Sequence, residues 1–320
     1  MGNTENKQTA LMSPGRSCPI HYRYKAQDIA ASPASPATVL YVVGGLYGNT
    51  EALTSILALI QKETSPVTLC FNGDFNWFNI DSEAFGLINW AVLQHDVLRG
   101  NVETEISDVS SEGDCGCAYP AWVDTGVVER SNLIINRLKR TASGYPDIAE
   151  AFRSMPMYLR YQVGEHRIAV VHGDCESLSG WALAQEAIDD PAQQRQIEQW
   201  SEQTGCRVIA STHTCLPYLY QSKTVQVINN GAAGMPNFRN THYGCISRIA
   251  TEPRPATIDS LYGSQDGGLF IDAVPVHYRQ PQWLQAFERQ WPPGSPAYLS
   301  YYERLLGNLA YELKDAQRLS

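Results

Sequence analysis

Four predicted strands end in polar side chains that can bind a cation. Asp74 closes the apolar segment SPVTLCFNGD, and Asn101 lies in the turn RGN. His172 and His213 follow two later strands, in the sequences VHGD and STHTCLP. Ligands of α/β sheets bind beyond the carboxyl ends of the strands, so we expect these four residues to meet at one edge. One carboxylate, one amide oxygen and two imidazoles suit Mn, Zn or Fe, so the sequence predicts a divalent metal site.

The elements that must position these residues first alternate between strands and helices. A buried strand over 37–45 leads into a helix over 49–63, and a second strand over 65–74 precedes a helix over 81–93. This order, followed by a run of strands, predicts a four-layer α/β sandwich in which helices flank two mixed β-sheets. The remaining predictions are a loop over 104–122, a helix over 127–142, antiparallel strands over 157–163 and 166–174, a mostly helical segment over 179–205 and a largely helical C-terminus over 282–319.

Composition divides the chain into three segments. Residues 1–37 are rich in Ser, Pro, Thr and Gln and are predicted to form an N-terminal arm and linker. Residues 38–280 carry the alternating elements and all four candidate ligands, and residues 281–320 are predicted to form a C-terminal helical extension.

Charge and hydropathy exclude several classes of protein. The 320 residues carry a net charge of −9, with 43% hydrophobic and 18% charged residues, which excludes a disordered chain. The acidic balance argues against a nucleic-acid binder that depends on bulk charge. We expect no contact with membranes, because the sequence has no apolar run of about 18 residues. The N-terminus shows no secretory signal, and eight cysteines then predict a reduced, cytoplasmic protein.

The polar strand ends also form an ordered set of motifs. Together they resemble the motifs of the calcineurin-like metallophosphoesterases, in particular their small bacterial branch. The similarity extends over residues 38–278. It is carried by GGLYGNTEAL (44–53), NGD (72–74), RGNVE (99–103), VVHGD (170–174), THTCLP (212–217) and INNGAAGMP (228–236).

The resemblance implies one complete metal site and one degenerate site. In the family, one ion is bound by residues that correspond to Asp74, Asn101, His172 and His213, all of which are present. The other ion needs an Asp and a His in the first motif and a second His in the fifth. Gly45, Tyr47 and Cys215 stand at those positions, and Val102 replaces the His of the third motif.

Cysteine offers two alternative interpretations of the degenerate half. Cys215 could combine with Cys115, Cys117 or Cys18, helped by His21, into a sulfur-rich second site that would prefer Zn, Fe or Cu(I). Alternatively, each cysteine is structural, and the protein holds a single ion.

Two functions follow from these observations. The first is a hydrolase, a divergent phosphoesterase that cleaves a phosphate mono- or diester at a non-standard metal centre. The second is a catalytically impaired protein of the same fold that acts as a binding or regulatory module. Either would take a small phosphorylated substrate or ligand.

Overall fold

The computed structural model describes residues 14–108 and 114–319. Thirteen strands lie within these two ranges. They are β1 (Ala34–Pro36), β2 (Val39–Val43), β3 (Val67–Asn72), β4 (Asp96–Leu98), β5 (Tyr158–Val163), β6 (His166–Val171), β7 (Val208–Ser211), β8 (Tyr218–Gln221), β9 (Gln226–Asn229), β10 (Gly244–Ala250), β11 (Tyr262–Asp266), β12 (Leu269–Val276) and β13 (Gln317–Leu319).

Nine α-helices and two short 3₁₀ turns lie in the same described ranges. No helix among these residues has the length and apolar character needed to cross a membrane. The helices are α1 (Ala26–Ala31), α2 (Thr50–Ile60), α3 (Ser82–Val92), α4 (Asn101–Ser107), α5 (Thr125–Ala142), α6 (Pro146–Ser154), α7 (Pro191–Thr204), α8 (Gln280–Gln290) and α9 (Pro296–Leu305).

The strands form two mixed sheets. One has seven strands in the order β1-β5-β6-β7-β9-β8-β13, and the other has six in the order β11-β12-β10-β2-β3-β4. Strands β2, β3 and β4 are parallel to one another, and so are β6, β7 and β9. The polar residues that follow parallel neighbours therefore emerge at the same edge of each sheet.

Successive side chains of the buried strands point to opposite faces of each sheet, and this alternation produces four layers. In β2, Tyr41 and Val43 pack with α2 and α3 on one face of the six-stranded sheet. Leu40 and Val42 point the other way, into an apolar layer shared with strands β5, β6 and β7 of the second sheet. The outer face of that second sheet packs on α1 and α7. This arrangement confirms the predicted sandwich of two mixed sheets flanked by helices.

Three local predictions were wrong. The linker sequence includes β1, an edge strand parallel to β5, where Pro36 is tolerated because an edge strand leaves backbone N–H groups unpaired. The predicted loop over 104–122 begins inside α4, whose first turn is stabilised by Glu103. The segment over 179–190 forms turns, and α7 begins only at Pro191, after the capping residue Asp190.

Residues 1–13 of the predicted N-terminal arm lie outside the described residues. From Pro14 onward, the arm contacts the rest of the chain. The Tyr22 hydroxyl donates to Glu105 Oε1 over 2.6 Å, and the backbone N–H of Tyr24 donates to the carbonyl of Glu176 over 3.1 Å.

Candidate metal centre

Strand ends bring the four predicted ligands together at the junction of the two sheets. Asp74 follows β3 and Asn101 begins α4 directly after β4, while His172 and His213 follow β6 and β7. All four side chains are buried. Asp74 and Asn101 follow the parallel neighbours β3 and β4, and His172 and His213 follow the parallel neighbours β6 and β7. Residues far apart in sequence therefore converge.

The distances between these side chains are short enough for one ion to bridge them. Metal-binding atoms of Asp74, His172 and His213 all lie within 4.8 Å of one another. His172 Nε2 lies 3.4 Å from Asp74 Oδ1 and 3.3 Å from Asn101 Oδ1. Across residues 14–108 and 114–319, this is the only group of three or more His, Cys, Asp or Glu side chains with such spacing.

Hydrogen bonds outside the cluster determine which atoms face its centre. His172 Nδ1 lies 2.8 Å from the carbonyl of Asn72, and His213 Nε2 lies 3.0 Å from the carbonyl of Cys117. A carbonyl only accepts, so these two nitrogens carry the protons. His172 Nε2 and His213 Nδ1 are then left with lone pairs. Among the described residues, the buried His213 Nδ1 has no hydrogen-bond partner.

Asn101 is oriented in the same way. Its amide Nδ2 donates to the carbonyl of Cys115 over 2.9 Å, so its Oδ1 faces His172. When His172 is neutral, two oxygens and two nitrogens therefore meet as lone-pair donors, whereas a protonated His172 donates from Nε2 to the oxygens of Asn101 and Asp74 instead. This set fits a divalent cation, and outer hydrogen bonds of this kind fix the ring orientation of metal-binding histidines in general.

The charges of the cluster follow from burial and mutual contact. Burial acts to raise the pKa of Asp74, but the neighbouring His172 and His213 outweigh it and hold that pKa below its ordinary value. Burial acts to lower the pKa of His172, but the Asp74 carboxylate raises it above its ordinary value. Burial and the nearby His172 lower the pKa of His213 to about 4, so His213 is neutral at pH 7.

The backbone at the site is strained where it positions these groups. Asp74 has φ of 55°, a left-handed conformation that non-glycine residues seldom adopt. Gly73 precedes it with φ of 73°, and a Cβ there would lie 2.6 Å from His172 Nδ1. Tyr47 and Cys215 also have positive φ values, of 54° and 62°. Strain of this kind persists where the surrounding structure imposes it, typically at functional sites.

Glu103 closes the motif RGNVE and stabilises the backbone beside the cluster, a role that was not assigned from the sequence. Its carboxylate accepts hydrogen bonds from the backbone N–H of Asp74 at 2.7 Å and of Gly100 at 3.2 Å. Burial, reinforced by the Asp74 charge, raises the pKa of Glu103 to about 7. The available signal was its position in the first turn of α4, where a Glu commonly caps the backbone.

Protein side chains occupy the degenerate half of the site, which contains Gly45, Tyr47 and Cys215. A Cβ added to Gly45 would lie 2.1 Å from Tyr47 Cζ and 2.3 Å from its hydroxyl oxygen, so the phenol ring occupies the space beside Gly45. The Tyr47 hydroxyl lies 2.7 Å from Cys215 Sγ. Burial raises the pKa of both groups, which keeps them protonated. Val102, at the position of the missing His, is buried in the apolar core.

The cysteines considered for a sulfur-rich site do not form a cluster of free thiols. Cys115 and Cys117 are bonded to each other as a disulfide, so their sulfurs are not free thiolates. Cys18 lies 3.2 Å from Ser177 Oγ and lines a separate pocket with Asp174. Cys117 and Cys215 do line the same cavity as His213. What Cys115 and Cys117 contribute to the metal cluster is their carbonyl groups, which orient Asn101 and His213.

A cavity of about 250 Å³ lies over the cluster. Asp74, Asn101 and His213 form part of its wall, and Arg304 of α9 lines it as well. Much of the remaining wall is aromatic, and several of these rings were not identified from the sequence, because they come from segments without a motif. The rings belong to Tyr47, Trp77, Tyr119, Trp181 and Tyr301.

Sequence comparison gives no relatives: no family model matches the chain, and no curated protein matches it. In three dimensions, the chain is similar to a hypothetical protein from Pyrococcus horikoshii OT3. The TM-score is 0.59 at 15% identity, covering 85% of this chain and 98% of that one. It is also similar to a metallophosphoesterase from Sphaerobacter thermophilus, with a TM-score of 0.53 at 14% identity, covering 85% of this chain and 100% of that one. The chain therefore has the fold of a metallophosphoesterase, as its motifs predicted.

Proposed function

We propose that the chain is a divergent calcineurin-like metallophosphoesterase, which hydrolyses a phosphate ester at a centre holding one divalent ion. One observation carries this proposal. Ligand atoms of Asp74, Asn101, His172 and His213 converge, and the buried His213 Nδ1 has no hydrogen-bond partner among the described residues because the ring proton is held on Nε2 by the Cys117 carbonyl, an arrangement that is costly unless a cation is bound. The metallophosphoesterase fold supports the same conclusion.

The donor set suggests which ions would bind. Two imidazole nitrogens with carboxylate and amide oxygens suit Mn, Zn or Fe better than Mg or Ca. When bound at such a site, a divalent ion lowers the pKa of a water molecule and places positive charge beside a phosphoryl oxygen. The protein contributes the fixed positions of the four ligands and the buried Glu103 that holds the backbone of Asp74.

The cavity supports a small phosphorylated substrate. Its volume of about 250 Å³ is at or below the lower end of the range for small-molecule sites and does not suit a folded macromolecule. Its aromatic walls favour an ester whose alcohol is planar and apolar. The net charge of −9 disfavours a nucleic acid. The Cys115–Cys117 disulfide departs from the fully reduced state that the sequence predicted, but the other six cysteines are free thiols, and they support a cytoplasmic location.

One observation favours the alternative, a catalytically impaired protein that binds a phosphorylated ligand. Tyr47 and Val102 occupy positions where the family has histidines; the Tyr47 hydroxyl contacts the Cys215 sulfur, and Val102 is buried in the apolar core. The transition state would then lack groups that the family uses.

A single assay separates the two proposals. Protein loaded with Mn, Zn or Fe is tested against a panel of aryl and alkyl phosphate mono- and diesters, for both hydrolysis and binding. Hydrolysis that is lost on chelation and restored by the ion supports the phosphoesterase. Saturable, metal-dependent binding without hydrolysis supports the binding module. Absence of both with every ion would refute both proposals.

A further inference from the structure

The proposed single-ion centre lacks positive charge on one side. Phosphoryl transfer develops charge on the equatorial oxygens of the transferred group, and enzymes stabilise this charge with metal ions, Arg or Lys. Here the second half of the site contains the buried Tyr47 and the half-buried Cys215, whose hydroxyl and sulfur lie 2.7 Å apart and neither of which carries a positive charge. A further positive charge must therefore come from a Lys or Arg side chain elsewhere in the chain.

Arg304 is the one Lys or Arg side chain among the described residues that line the cavity. It projects from α9, near the C-terminus. Its Nη2 donates to the carbonyl of Cys215 over 2.9 Å, and its Nε donates to the carbonyl of Pro236 over 3.0 Å. These bonds hold the guanidinium directly beside the degenerate half of the site.

The guanidinium has further N–H groups with which it can bind an anion. Of its five N–H groups, the two carbonyls use two, which leaves three donors. Within the described residues, no carboxylate forms an ion pair with Arg304.

Arg304 also stands at the mouth of the cavity. Together with Ser300, it lines both the 250 Å³ cavity and a wider, more open groove of about 950 Å³. A ligand that entered from the groove would meet the guanidinium before the metal cluster. Aromatic rings line much of the cavity that this charge faces.

We propose that Arg304 contacts the phosphoryl group of the substrate and supplies the positive charge that a second metal ion would otherwise provide. This inference rests on the proposed phosphoesterase function. Its three remaining N–H groups match phosphate oxygens, which guanidinium groups commonly bind through parallel hydrogen bonds. In this way a residue outside all the motifs replaces the lost half of the centre.

The test compares Arg304→Gln and Arg304→Lys with the control Arg289→Met, which removes an exposed positive charge from the neighbouring helix α8. Metal content and the affinity for inorganic phosphate are measured by elemental analysis and calorimetry on the metal-loaded proteins. We expect Arg304→Gln to keep the metal, to bind phosphate about 10- to 100-fold more weakly and to lose about 10²- to 10³-fold in kcat/KM. Arg304→Lys should recover part of both losses, and Arg289→Met should change neither.

Unchanged phosphate affinity in Arg304→Gln would overturn the inference, even if the wild type hydrolyses esters. A wild type that binds phosphate through Arg304 but turns over no ester would instead overturn the phosphoesterase proposal. If a variant fails to fold, a measurement on the wild type still tests the inference. Phosphate should protect Arg304, but not Arg289, from phenylglyoxal, as followed by mass spectrometry; equal modification of Arg304 with and without phosphate would contradict the inference.

Discussion

The two halves of the site differ in what fills them. In one half, ligand atoms of Asp74, Asn101, His172 and His213 meet at a common point, and N–H groups of Asn101, His172 and His213 are bonded to carbonyls outside it. In the other, Tyr47 fills the space beside Gly45 and hydrogen-bonds Cys215. The first half is built to hold a cation, whereas the second half is filled by neutral side chains.

This difference shows that the substitutions in the second half act as a set. Tyr47 fits only because residue 45 has no side chain, and its hydroxyl then needs the Cys215 sulfur as a partner in a buried position. The lost ligands have therefore been replaced by a packed and hydrogen-bonded structure. A cavity left by random loss would not show such complementarity.

The largest expected effect comes from removing a ligand of the complete half. His172→Ala should lower metal affinity by more than about 100-fold, since even partners outside the ligand shell commonly contribute 10- to 100-fold. Metal titration of the purified variant measures this, with exposed His277→Ala as the control. Retention of wild-type affinity by His172→Ala would disprove the proposed site.

A second prediction concerns the packing of the filled half. Gly45→Ala should cost roughly 1–3 kcal/mol of unfolding free energy, because the new methyl group overlaps the buried Tyr47 ring. In a Tyr47→Ala background this cost should disappear, as denaturant unfolding of the four proteins would show. Gly44→Ala is the control, because its Cβ would lie 2.2 Å from the Gly231 carbonyl and should be costly in both backgrounds. Equal costs for Gly45→Ala in the two backgrounds would show that Tyr47 does not fill this space.

The third prediction uses the buried carboxyl behind the complete half. The folded pKa of Glu103 is raised to about 7 from an ordinary value of 4.5, so the folded state binds more protons between these values than the unfolded state. Glu103 therefore reduces stability as pH rises through this window. Relative to the wild type, metal-free Glu103→Gln should gain on the order of 2 kcal/mol between pH 4.5 and 7.5. Denaturant unfolding across this range measures the gain, with exposed Glu202→Gln as the control. Parallel profiles for wild type and Glu103→Gln would contradict the prediction.

The smallest effect is expected at Cys215. A serine there keeps a hydroxyl beside Tyr47, so Cys215→Ser should leave the metal content unchanged. Cobalt-substituted wild-type protein should likewise show no thiolate-to-cobalt charge-transfer absorption. Loss of an ion in the variant, or such an absorption in the wild type, would support sulfur ligation instead.

The four ligands of the complete half could be predicted from the sequence, because each is marked by its position after an apolar segment. Asp74, Asn101, His172 and His213 each follow an apolar strand, and parallel pairing brings strand ends together without further detail. Trp181 and Arg304 could not be found in this way, since their positions depend on how irregular segments and α9 pack over the sheet edge. The hydrogen bonds to the Cys115 and Cys117 carbonyls could not be predicted either, because every residue has a backbone carbonyl and the sequence does not show which one is used. Tyr47 was recognised as a departure, but its packing against Gly45 required coordinates.

The most direct test of the account is the number of metal ions per chain. Native mass spectrometry with elemental analysis, after loading with saturating Mn or Zn, measures this number in the wild-type protein. We expect one ion, held by Asp74, Asn101, His172 and His213. Two ions per chain would contradict it, because the half occupied by Tyr47 and Cys215 would then have to bind a cation.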